Sequence, residues 1–98
     1  MLRGINQKNM KENLENVQVQ YFTPSEFADA VRKAISDKST QAVVAELLGI
    51  KQNNLASSIH RARNNKGYNF ALLARAYETV VPCYDIGRRH NGDVFVVL

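Results

Sequence analysis

A chain of 98 residues, 45% apolar and 22% charged, has the composition of one small globular domain and argues against wholesale disorder. No apolar run approaches the ~18 residues of a membrane span, residues 1–9 lack the apolar core of a secretion signal, and the single cysteine, Cys83, cannot form an internal disulfide; a cytoplasmic, reducing location is the expectation. Thirteen Lys and Arg against nine Asp and Glu leave a net charge of +4, which raises nucleic acid as a partner without establishing it.

Residues 1–16 are polar, amide-rich and aperiodic, as in a mobile arm. Val17, Val19 and Tyr21 then alternate with Gln18, Gln20 and Phe22, the pattern of a short strand or an extended lead-in, so residues 1–22 read as a flexible or extended N-terminal arm. Thr23-Pro24-Ser25-Glu26 is a helix start. Thr23 caps, Pro24 suits the first helical position, and Glu26 closes a capping box. Phe27, Ala30, Val31, Ala34 and Ile35 follow at helical spacing and predict a helix over about 24–36. Ser39 or Thr40 caps a second helix, Gln41 to Leu48, which Gly49 ends. A third restarts at Ile50-Lys51-Gln52-Asn53 and runs to about Asn64, with Leu55, Ile59 and Ala62 inward. Asn64-Asn65-Lys66-Gly67 is a turn, Asn69 caps a fourth helix over about 70–80, and Pro82 ends it. Beyond it, Tyr84–Arg89 and Asp93–Leu98 flank His90-Asn91-Gly92, the signal of a β-hairpin, here ending in the apolar run Val94 to Leu98. A hairpin alone is marginal in water, so residues 83–98 must pack on the helices, pair with a second chain, or continue into something longer.

The charge is segregated along these elements. Cations and carboxylates cancel over residues 1–46, and carboxylates exceed cations by one over 78–98. Residues 47–77 carry Lys51, Arg61, Arg63, Lys66 and Arg75 with no carboxylate, so the whole excess lies there.

Within that stretch and just before it, residues 41–59 have the construction of a helix-turn-helix. Ala45 is small where two helices cross steeply, Gly49 tolerates positive φ at the corner, and Val44, Leu48, Ile50, Leu55 and Ile59 supply apolar contacts on both sides. With Gln41 first, Ala45 fifth, Gly49 ninth and Leu55 fifteenth, the pattern resembles the helix-turn-helix of lambda-type phage repressors. The segment Gln41–Ile50 and the helices Leu55–Arg63 and Phe70–Tyr77 are most similar to the N-terminal domains of phage CI-type repressors, over roughly residues 24–80. Two departures stand out. Ser58 occupies a position where that family often has an apolar residue, and the tail shows neither the usual continuation of the fold nor a serine–lysine self-cleavage domain. The resemblance implies a mainly α, lambda-repressor-like bundle of four to five helices over residues 23–82, here with a C-terminal hairpin, and binding to operator DNA.

Helical geometry identifies the candidate surface independently. At about 100° per residue, Leu55, Ile59 and Ala62 mark one side of the third helix, and Asn53, Asn54, Ser57, His60, Arg61 and Asn64 gather on the other. That outer side carries hydrogen-bond donors and no acid, which suits a DNA major groove. Gln52, Asn53, Asn54, Ser57 and Arg61 are the expected base readers. Gln41, Lys51, His60, Arg63 and Lys66 are the expected phosphate contacts. Such a regulator needs no cofactor or metal. His60, His90 and Cys83 lack metal-type spacing, and no nucleophile–base set, carboxylate pair or phosphate-cradling loop argues for an enzyme. One helix-turn-helix covers few base pairs, so a homodimer is expected, with the hairpin as its candidate interface. The competing reading is a protein-binding helix-turn-helix, antitoxin-like or antirepressor, that presents the same face to a protein.

Overall fold

The computed structural model describes residues 18–98. Among them run β1 (Val19–Phe22), α1 (Pro24–Lys38), α2 (Gln41–Leu48), α3 (Gln52–Arg63), α4 (Phe70–Val80), β2 (Asp85–Arg88) and β3 (Val94–Val97). The expected arm over residues 1–17, Val17 included, lies outside the described residues.

Local chemistry sets the helix ends. Thr23 Oγ1 accepts from the Glu26 N–H at 3.2 Å while Glu26 Oε1 accepts from the Thr23 N–H at 2.8 Å, completing the capping box of α1. α2 is capped by Thr40, whose hydroxyl accepts from the Val43 N–H, and is closed by Gly49 at φ 70°. The Gly49 N–H donates to the Glu46 carbonyl and the Ile50 N–H to that of Ala45, both at 3.0 Å. Because Ile50 is spent closing α2 and Lys51 is extended, α3 starts at Gln52 rather than at Ile50. α3 closes in the same way: the Asn65 N–H donates to Ala62 and the Lys66 N–H to Arg61, with Asn65 itself at φ 56°. Asn69 Oδ1 then accepts from the Leu72 N–H to open α4.

α1 packs against α3 and α4, and α2 crosses onto α3 at the Gly49 corner. Phe27, Val31, Ile35, Val44, Leu55, Leu73, Val94 and Val96 are fully buried in one core. Each such side chain contributes roughly 1.5–3 kcal/mol by leaving water. The Phe27 ring sits at its centre, with the rings of Phe22, Phe70 and Tyr77 tilted around it at 5.8–6.1 Å.

The tail is not a two-stranded hairpin. β1 adds to it, giving an antiparallel sheet in the order β1-β3-β2, in which Val94 faces both Phe22 and Arg88 and Val96 faces both Gln20 and Ile86. Residues 19–22 are therefore an edge strand rather than part of an arm, and residues 83–98 share the core with the helices. The central strand β3 turns Val94 and Val96 into the same core that holds Phe27 and Tyr77, which resolves how so apolar a hairpin persists in water.

Candidate nucleic-acid interface

α3 is anchored by one face and bare on the other. Leu55, Ser58, Ile59 and Ala62 are buried, so Ser58 does face inward with the apolar residues, as its helical position requires. Lys51, Gln52, Asn53, Asn54, Ser57 and His60 are exposed. The N-terminus of α3 has no side-chain cap, since Lys51 offers no acceptor. Positive charge and helix N–H groups thus coincide where the first expected base readers stand.

Two recesses flank this ridge. On one side Gln41, the first residue of α2, and Gln52, the first of α3, line a common recess with Arg32, Ser36, Ser39 and Thr40. The sequence assigns Gln41 to a phosphate and Gln52 to a base, and the corner between α2 and α3 brings the two to one recess. On the other side Asn54 and Ser57 line a recess with Ile50, Ser58, Asn69 and Arg75, beneath the N-terminus of α4. Arg32 and Arg75 were not among the expected contacts. Arg75 could have been found, because it lies in the carboxylate-free stretch and on the outward side of α4, away from Leu73, Ala74 and Tyr77. Arg32 gives no such signal, since its neighbours in sequence are electrically balanced.

Two expected contacts are otherwise engaged. Arg61 is exposed, but its Nε donates to the Gly67 carbonyl at 2.6 Å. That bond ties the base of the guanidinium to the loop after α3 and engages one of its five N–H donors. Arg63 Nε lies 2.9 Å from Asp29 Oδ1 on α1, and the Arg63 carbonyl accepts from Ser25 Oγ at 3.0 Å. Its charge is offset, so it ties helices together rather than offering a phosphate an open cation. Asp29 also has Arg32 at 3.9 Å. His60 is exposed one turn further along α3, where Asn64 Nδ2 donates to its carbonyl at 2.8 Å. Lys66 is exposed and, like Lys51, has no carboxylate within ion-pair distance among the described residues.

Other chemistry is weakly provided for. Burial raises the pKa of the Cys83 thiol, and Glu78 and Asp85 raise it further, which leaves the thiol protonated and a poor nucleophile near neutrality. Among the described residues no group of three or more His, Cys, Asp or Glu side chains converges as metal ligands would, and no helix is long and apolar enough to cross a membrane.

No protein-family model, curated protein or solved structure matches the chain.

Proposed function

We propose that the protein is a sequence-specific, double-stranded DNA-binding transcriptional regulator of lambda-repressor-like fold, acting in the cytoplasm as a phage or prophage type of repressor without cofactor or catalysis. The observation that carries this reading is the exposed, acid-free donor ridge Gln52, Asn53, Asn54 and Ser57, held rigidly from behind by Leu55 and Ile59. A major groove about 12 Å wide admits a helix, and amide side chains pair with adenine while hydroxyls meet several base edges. Gln52, Asn53 and Ser57 then read bases. Gln41, Lys51 and Lys66 hold phosphates, joined by Arg75 from the recess beneath α4, so that backbone contacts on both sides fix the helix in register.

Binding to random-sequence duplex across a salt series tests the reading. Affinity should fall steeply with ionic strength, because each phosphate contact releases condensed counterions. Absence of duplex binding at low salt would refute it.

A second reading, a protein-binding helix-turn-helix of antitoxin-like or antirepressor type, is favoured by one feature. Val43 and Leu47 lie one turn apart on α2 and are 46% and 69% exposed, an apolar pair that a protein partner would cover.

A further inference from the structure

The tip of the β2–β3 hairpin is a second place where cations gather. Backbone bonds tie it: the Arg89 N–H donates to the Asp93 carbonyl at 2.7 Å and the Gly92 N–H to the Arg89 carbonyl at 3.0 Å. Gly92 supplies the positive φ of 93° at the turn, and Asn91 Oδ1 accepts from the Asp93 N–H at 3.0 Å. The turn so built leaves Arg88, Arg89, His90 and Asn91 exposed around one recess.

The two guanidiniums there are held but not neutralised. Arg88 Cζ lies 5.2 Å from the centre of the Phe70 ring on α4, and Arg89 Cζ lies 5.4 Å from that of Tyr21 on β1. An aromatic ring attracts the cation while leaving it N–H donors for an anion. Neither guanidinium has a carboxylate within ion-pair distance among the described residues. Asp85 stands at the far end of β2 from Arg88, about 10 Å away at ~3.4 Å per residue. Asp93, the carboxylate at the turn, is engaged by Asn91 Nδ2 at 3.3 Å. Because Arg88 reaches α4 and Arg89 reaches β1, the cations are splayed to either side of the tip. A run of phosphates crossing the tip meets both.

The segment joining α3 to α4 relates this tip to the donor ridge. Asn69 lines the recess that Asn54 and Ser57 share, and the next residue, Phe70, carries the Arg88 guanidinium on its ring. Arg88 is also near enough to Tyr68 for its charge to oppose the rise in the tyrosine pKa. With one Cα step of about 3.8 Å and the length of a Phe side chain between them, the guanidinium lies within about 15 Å of the Asn69 Cα. That is about four base pairs along a duplex at ~3.4 Å each. Lys66, assigned above to a phosphate, is two residues before Tyr68 on the same segment. We infer that Arg88 and Arg89 bind backbone phosphates of DNA flanking the bases that face α3. The inference rests on α3 reading the duplex, and it extends the contact to an element outside the helix-turn-helix. Such contacts strengthen binding and fix its register without reading sequence.

The test is binding of the full chain to two duplexes that carry a site selected from random sequences. One is trimmed to the bases facing α3, and the other is extended by about ten base pairs, one helical turn, at each end. The wild type should bind the extended duplex about tenfold more tightly, with a salt slope steeper by about two ions. The double variant Arg88→Gln/Arg89→Gln should lose that gain and still bind the trimmed duplex as the wild type does. Arg89→Gln alone, which leaves the Phe70 contact intact, should remove about one ion from the slope. Arg88→Lys/Arg89→Lys should keep the steeper slope, because lysine also neutralises a phosphate; a purely structural role for the guanidiniums predicts no such rescue. Equal gains on extension for the wild type and the double Gln variant would overturn the inference and leave the reading of α3 standing. A wild type that binds neither duplex would overturn both.

Discussion

Arg63 reaches back from the last turn of α3 to Asp29 on α1, Nε to Oδ1 at 2.9 Å, and so divides the cations of the acid-free stretch into two kinds. Arg63, and Arg61 through the Gly67 carbonyl, hold α3 in place. Lys51, Lys66 and Arg75 remain for a ligand.

The first prediction follows from that division. Both members of the Arg63–Asp29 pair are about half exposed, so screening keeps the pair below about 1 kcal/mol. Arg63→Ala should lower stability by that much in urea unfolding and leave the salt dependence of duplex binding nearly unchanged. Lys51→Ala should do the reverse, sparing stability and reducing the salt slope by about one ion. Matching salt slopes for the two variants would contradict the division.

Base-reading residues should separate from phosphate-binding ones by sequence dependence. Asn53→Ala or Ser57→Ala is expected to cost about 1–3 kcal/mol on a selected site and little on random duplex. Lys66→Ala should weaken both alike. Competition titrations with the two duplexes check this, and equal losses for all three variants would show that the roles are assigned wrongly.

Asn65 occupies the left-handed position that closes α3, at φ 56°. Asn tolerates that conformation and Gly prefers it, whereas other residues lose about 1–2 kcal/mol there. Thermal melting should show Asn65→Ala destabilised by about 1 kcal/mol and Asn65→Gly at or above the wild type. A stable Asn65→Ala protein would mean that the turn relaxes into another conformation.

Tyr68 carries a buried hydroxyl without a hydrogen-bond partner among the described residues. The Arg88 guanidinium, which lies 5.2 Å from the Phe70 ring centre, is near enough to oppose the rise in the Tyr68 pKa caused by burial, but not in hydrogen-bond geometry. Removing the unpaired group should help: Tyr68→Phe is expected to gain about 1 kcal/mol. Since the folded pKa lies above the unfolded value, stability from this group is complete below about pH 10 and is lost as pH rises through the folded pKa. Tyr68→Phe should therefore also lose less stability in alkali, measured by melting between neutral and strongly basic pH. A destabilised variant would reveal a partner for the hydroxyl.

What could be read from the amino acids alone is what depends on near neighbours. The Thr23–Glu26 capping box, the Gly49 corner and the inward stripe Leu55, Ile59 and Ala62 all rest on spacings of a few residues, and all stand as expected. The partner of Val19–Phe22 did not follow from its own alternation. β1 pairs with Val94–Val97 across most of the chain, and alternation states only that a strand exists, not what it joins. The same limit explains Arg61 and Arg63. Helical position placed both at the surface correctly, but whether an exposed guanidinium is free or committed depends on groups such as the Gly67 carbonyl and Asp29, which the helix period does not locate. Arg32 and Arg75 were missed for the complementary reason: they reach the ridge from neighbouring helices.

The most direct measurement is amide and side-chain chemical-shift mapping of the labelled protein titrated with duplex DNA. Perturbations should concentrate at Gln41, Gln52, Asn53, Ser57, Asn69 and Arg75, and leave Val43 and Leu47 on α2 unmoved. Shifts confined to α2, or none at any duplex concentration, would contradict a DNA-reading α3.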